Sequence, residues 1–220
     1  MLHLGLALYA EGPTDYYFLR PLLIRLCEDI CTREAPQPIE LSEVFSLNTL
    51  PHMQNAPRAQ RVVEAARAAL GAWRILFVHA DGAGDPDRAR RQQTDPALEV
   101  LQRELREHGI GVAVVPVRET EAWAIVDGDA LRQVFGTELT DSELGLPSVR
   151  QLESVSDPKA VLSSAFLATN PTGRRRRAGP TPLLNAIGEK VSLDRLRRLS
   201  AFQALENDLK VALKELRVLR

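Results

Sequence analysis

The sequence predicts an α/β fold: a mostly parallel sheet of about four strands flanked by helices, followed by an all-helical C-terminal cap. Three observations carry that expectation. Short apolar runs alternate with helical patterns through the first half of the chain, as in strand–helix–strand units. The run Ile75 to Val78 is apolar at every position, which is how a strand buried on both faces of a parallel sheet reads. After Arg118 no convincing strand remains. The chain therefore divides into an α/β core over residues 1–127 and a helical extension over 128–220.

Taken in order, Leu4 to Ala10 is apolar and reads as the first strand. Glu11-Gly12-Pro13-Thr14-Asp15 follows it, with Thr14 as the expected N-cap of a helix running from Tyr16 to Ile30, where Phe18, Leu22, Leu23 and Leu26 recur at helical spacing. Ile39 to Leu47 is a second strand, and Pro57 to Leu70 is a helix closed by Gly71. The central strand at Ile75 ends at His79 and runs into Asp81, Gly82, Gly84 and Asp85. Pro96 to His108 is an amphipathic helix, and Gly111 to Val117 a valine-rich fourth strand. Beyond it, Asp157 to Ala168, Thr181 to Lys190, Leu193 to Leu199 and Ala201 to Val218 read as helices.

Composition narrows the function classes. With 220 residues, 45% hydrophobic and 26% charged, and a formal net charge of -1, this is an ordinary globular chain with one sizeable core. Net charge alone is silent on nucleic acid, because arginine clusters at 88–91, 174–177 and 195–198 are masked by carboxylates elsewhere. Cys27 and Cys31 have no nearby Cys or His partners in sequence, so they read as reduced core residues rather than a zinc site or disulfide framework. No signal peptide and no membrane-length apolar run is present, and the expected location is cytoplasmic. Neither a phosphate-cradling GxxxxGK[ST] nor a Gly-x-Ser-x-Gly elbow occurs, which argues against ATP hydrolysis by this chain and against a serine nucleophile.

Acidic residues follow three of the strands. Glu11 ends the first, Asp81 and Asp85 follow the third, and Glu119 and Glu121 follow the fourth. In a parallel sheet all of these reach one edge, the edge where α/β proteins bind ligands. Carboxylates gathered without matching lysines repel, and a hard divalent cation relieves that repulsion. Glu11, Asp15, Asp81 and Asp85 are thus the candidate ligands of Mg²⁺ or Mn²⁺, and Glu119 or Glu121 the group that positions or deprotonates an attacking water. Each has a plainer reading: Glu11 and the Asp81–Asp85 loop as solvated turns, Asp15, Glu119 and Glu121 as favourable charges at helix N-termini with Thr120 as a cap, His79 as a packed histidine, Trp123 as core. Arg88, Arg90 and Arg91 would flank the acidic edge and steady a phosphate, while Arg174, Arg175, Arg176 and Arg177, in a loop, form a candidate grip on a nucleic-acid backbone or simply a solvated charge run.

A strand, Glu11-Gly12-Pro13-Thr14-Asp15, a helix and a buried strand closing on acid together resemble the Toprim fold of topoisomerases, primases and OLD-type nucleases. With Glu119-x-Glu121-Ala-Trp123 and Ser200-Ala-Phe202-Gln203 added, the chain resembles a family of Toprim-like proteins whose genes are often found beside those of ATPases. The resemblance covers residues 4–127, with a looser match at the tail. It implies a magnesium-dependent phosphoryl-transfer site in which Glu11 is the family glutamate and Asp81 the second acid of an Asp-x-Asp motif whose first acid is here His79. That exchange removes a hard oxygen ligand and favours manganese or a softer metal. The expected activity is a metal-dependent phosphodiesterase, nicking or cleaving DNA or RNA, in phage defence or DNA processing with an ATPase partner. The alternative is a non-catalytic subunit that binds nucleic acid or an ATPase; a small-nucleotide hydrolase is a third reading.

Overall fold

The structure, a computed structural model, describes residues 2–220. Four parallel strands form one sheet in the order β2-β1-β3-β4: β1 (Leu2–Tyr9), β2 (Ile39–Leu47), β3 (Ile75–His79) and β4 (Ile110–Val114). The expected α/β fold with a mostly parallel sheet of about four strands therefore holds, and every strand pair is parallel. All four strands end on one edge, and β1 and β3, which carry Glu11 and Asp81 beyond their ends, are neighbours in the middle of the sheet, pairing Tyr9 with Val78. Chain segments following both strands thus start side by side.

Alternation along the strands sorts side chains onto two faces. Leu4, Leu6, Leu8, Ile75, Phe77, Val112 and Val114 join one apolar cluster with helix α1 (Pro13–Glu34) and with the C-terminal helices. Ala7, Tyr9, Leu76 and Val78 join a second cluster with Val62, Val63 and Ala66 of α2 (Arg58–Ala68) and with Leu101 of the helix that precedes β4. His79 shares parity with Ile75 and Phe77, so its ring turns toward the α1 side, and Asp81, two further on, follows it.

Between β3 and β4 the helical path is longer than the sequence pattern predicts. A short helix α3 (Pro86–Ala89) runs through a π-helical turn (Arg90–Thr94) into α4 (Asp95–Glu104), so the helix expected over 96–108 starts one residue earlier and closes earlier as well. The fourth strand stops pairing at Val114 rather than Val117, and Pro116 to Arg118 instead receive the loop after β3. Then come α5 (Glu121–Ala124), α6 (Gly128–Phe135), α7 (Val149–Leu152), α8 (Pro158–Ala168), α9 (Gly173–Ala178), α10 (Leu184–Lys190), α11 (Leu193–Leu196) and α12 (Ser200–Glu215). The Arg174–Arg177 run, expected in a loop, is wound into α9. Trp123 of α5 is buried against Phe202 of α12, ring edge to ring face at 5.4 Å, and the first apolar cluster extends without interruption from Leu4 to Leu219. Texture changes at residue 127; the core does not.

Helix α1 starts differently from expectation. Its N-cap is Gly12 rather than Thr14, and the Asp15 side chain reaches back to accept from the Gly12 N–H at 2.8 Å. Among the described residues no helix is long and apolar enough to cross a membrane. Both cysteines are free, and burial pushes the Cys27 thiol well up and the Cys31 thiol up to about 11. Thiolate is the reactive form, so neither thiol is expected to react with a disulfide reagent at pH 8 in the native protein within minutes, and both are expected to react in denaturant. Rapid native labelling of one thiol per chain would show that the α1 packing opens readily.

Candidate metal centre at the strand ends

Three chain segments meet where β1 and β3 end. Asp15 arrives from the first turn of α1, His79 is the last residue of β3, and Asp81 lies two residues beyond. One donor atom from each of these three falls within 4.8 Å of the others. Asp15 is 8% exposed, His79 is fully buried, and the Asp81 side chain is 36% exposed, so the group opens to solvent on the Asp81 side.

Each side chain is held by its neighbours. Asp15 Oδ1 accepts from the Thr120 hydroxyl at 2.9 Å while Oδ2 accepts from Gly12 N–H. Thr120, expected to cap the following helix, makes no cap bond and instead joins the segment after β4 to α1. Glu11 accepts from the Asp81 N–H at 3.0 Å, and Glu11 N–H points at His79 Nδ1 at 3.4 Å, so the β1 and β3 ends are stitched to each other. Tyr16 locks the same corner. Its oxygen accepts from Ala10 N–H and its hydroxyl donates to Leu47 carbonyl, and burial raises its phenol above the ordinary value.

Several polar atoms here lack partners. His79 Nε2 and Asp81 Oδ1 lie 3.4 Å apart without the alignment of a hydrogen bond, and both are buried and unpaired, as is Glu119 Oε2. Such atoms cost free energy unless something satisfies them. With Nδ1 accepting from Glu11 N–H, the ring proton sits on Nε2 beside Asp81; moved to Nδ1, it would face Asp15 Oδ2, 3.6 Å away, and free Nε2 for a cation. Burial, and then the Asp81 charge, raises the Glu119 carboxyl above its usual value; Lys159 opposes the shift. Glu121 is buried and raised by that burial first, then by Glu119 and Asp15. These acids therefore crowd one another in a desolvated corner, with one lysine set against them.

No family model, no characterised protein and no solved structure matches the chain.

The strand-end geometry brings some of the expected residues together and leaves others out. Asp15, Asp81, Glu11, Glu119 and Glu121 converge, and His79 joins them as a donor. Asp85 does not: it is exposed, and its side chain accepts from Arg88 N–H at 2.9 Å as the N-cap of α3, so its carboxylate is used in ending a turn. Arg88 is exposed and bonds to Gln92, while Arg90 pairs with Asp95 and Asp208. Arg91 is exposed on the π-helical turn. Arg174 to Arg177 are exposed on α9, where Arg175 donates to the Phe135 carbonyl and lies over the Phe166 ring; none of them belongs to the strand-end group. Arg58 and Arg61 were not singled out in the sequence. Arg58 donates to the His79 carbonyl and to Gln93 carbonyl at 3.2 Å, which places a guanidinium directly behind the metal-ligand candidates. A signal existed: α2 follows β2, so its first turn returns close to the strand ends, and two arginines three apart in that turn share a face.

Proposed function

We propose that the chain is a metal-dependent phosphodiesterase acting on nucleic acid, with Asp15, His79 and Asp81 holding a divalent cation. The observation that carries this reading is the pair of buried, unpartnered atoms, His79 Nε2 and Asp81 Oδ1, facing each other within a group of donors from three separate segments. A structural histidine would have its nitrogens satisfied. The resemblance of the Glu11 and Asp81 motifs to Toprim domains points the same way.

The donor set is one nitrogen and at least two carboxylate oxygens. Magnesium prefers oxygen alone, whereas manganese accepts imidazole readily, so the set fits Mn²⁺ better than Mg²⁺. The bound ion would polarise a phosphoryl oxygen and lower the pKa of a water. The protein's own groups do the rest. Asp15 is fixed as a ligand by Thr120 and Gly12, and the Glu11 N–H orients the His79 ring. Glu11 holds the Asp81 backbone in place, keeping the loop's carboxylate at the mouth. Glu119, half-buried with a raised carboxyl and an unpaired oxygen, is placed to take a proton from the attacking water, since a base with an elevated pKa holds it better at neutral pH. Arg58, behind His79, offsets charge that develops on the phosphate.

A supercoiled-plasmid nicking assay tests this. Wild-type protein is expected to nick with Mn²⁺, more slowly with Mg²⁺ and not in EDTA, with Asp15→Asn reduced by about a hundredfold or more. His79→Asp is expected to shift the preference from Mn²⁺ toward Mg²⁺. Equal nicking by wild type and Asp15→Asn would end the assignment.

A further inference from the structure

Beside the acidic group, at the carboxyl ends of β1 and β2, lies a recess of about 620 Å³. Glu11 and Gly12 form part of its wall, so it opens onto the same strand end. Its charge is the reverse of its neighbour's. Arg20, Arg58 and Arg61 line it against a single carboxylate, that of Glu11.

The lining groups divide into those already engaged and those left over. Arg20 donates to the Val44 carbonyl at 2.8 Å and lies near Glu43; Arg58 is tied to the His79 and Gln93 carbonyls and sits over the Tyr9 ring, 5.6 Å from its centre. Tyr9 and Tyr16 have bonded hydroxyls. These make a rigid frame. Arg61 is different: its Nε is buried and has no hydrogen-bond partner, and its guanidinium makes no ion pair among the described residues. A cationic planar group with a buried, unsatisfied N–H is completed by an anion with several acceptor oxygens. Tyr17, 53% exposed at the rim, offers an aromatic face outside the core clusters, and the exposed Asn48 side chain makes no hydrogen bond among the described residues.

We propose that this recess binds one nucleotide of the substrate: Arg61, backed by Arg58, takes a phosphate, Tyr17 stacks on the base, and Asn48 meets the base edge. The assignment rests on the phosphodiesterase reading and gives it a substrate class, a single-stranded end or an unpaired nucleotide. A space of this volume suits a small molecule and is too small for a duplex. Stacking and arginine contact are the two means by which proteins hold unpaired nucleotides irrespective of sequence.

Isothermal titration of the full chain with adenosine 5′-monophosphate, in EDTA and again with Mn²⁺, tests it, with inorganic phosphate as the second titrant. The nucleotide is expected to bind at least tenfold more tightly than phosphate. Arg61→Gln, which breaks no bond in the fold, is expected to weaken it about tenfold or more, as loss of a charged hydrogen bond does. Tyr17→Ala should weaken the nucleotide without changing phosphate, and Tyr17→Phe should restore it. Absence of nucleotide binding in both conditions, with native circular dichroism, overturns the proposal; so does an Arg61→Gln affinity equal to wild type. Nucleotide bound no better than phosphate overturns the base contact. Binding without cleavage under any metal would leave this pocket standing and the phosphodiesterase reading fallen; cleavage without binding would do the reverse.

Discussion

Asp81→Asn is expected to cut metal-dependent cleavage by at least about a hundredfold while making the metal-free protein more stable. The two effects have one cause. Asp81 supplies an unpaired carboxylate oxygen at the mouth of the donor group, and its charge is one of the groups that push the Glu119 carboxyl up. Asparagine keeps the shape and the backbone N–H that donates to Glu11, but removes the charge. Without metal, one repulsive partner is gone, and a gain of roughly 0.5–1 kcal/mol is expected, about 1–3 °C in a chain of this length. Mn²⁺ should raise the melting temperature of wild type and leave the variant unmoved. Glu119 and Glu121 have carboxyls raised by folding, so their contribution is fully present below the unfolded value and lost as pH rises through the folded one. In EDTA, then, wild type should lose stability as pH climbs above the ordinary glutamate range, and the variant should lose less. Thermal melts across pH, with and without Mn²⁺, decide it; a variant that is less stable in EDTA would mean the carboxylate serves the fold.

The second large effect is expected from Gly82→Ala. A Cβ at this position would lie 2.2 Å from the Pro116 carbonyl oxygen and 2.5 Å from that of Val117. Both obstacles are backbone, and the same strip is bonded to the loop through Gly84 N–H to Val117 carbonyl at 2.8 Å and Ala83 N–H to Arg118 carbonyl at 3.3 Å. Neither side can give without breaking these contacts. The close approach is what sets Asp81, on the loop after β3, against Glu119, on the segment after β4. A cost of roughly 1–3 kcal/mol is expected from overpacking, and a displacement near 1 Å at the donors is worth about a hundredfold in rate. Gly71→Ala is the control: its φ of +89° strains an alanine, but nothing lies within 4 Å. It should cost about 1 kcal/mol and leave cleavage unchanged. Melting curves and the nicking assay on both variants separate a local strain from a site effect.

Much of the scaffold was legible because it depends on local pattern. Ile39–Leu47 and the β3 run are where apolar spacing puts them, and the acids after three strands, Asp85 excepted, do converge, since a parallel sheet leaves them no other edge. What pattern could not show was competition between roles. Asp15 and Asp85 both read as candidate ligands, yet Asp15 faces His79 and Asp85 caps α3; the difference lies in the path of the loop, which the Gly82 approach determines. Thr120 looks like a cap and instead bonds to Asp15, a partner 105 residues away. Arg61 carries no local signal, because its environment comes from β1, β2 and α1 together. The arginine run at 174–177 carries helical propensity that its flanking glycines obscured.

The unbroken apolar cluster from Leu4 to Leu219 also bears on how this protein tolerates being cut. Separating the chain after residue 127 would strip Trp123 from Phe202 and leave two sticky halves, neither with a finished interior. Expressed together, the halves should reassemble around that shared seam and recover the native spectrum; expressed alone, each should collect in inclusion bodies.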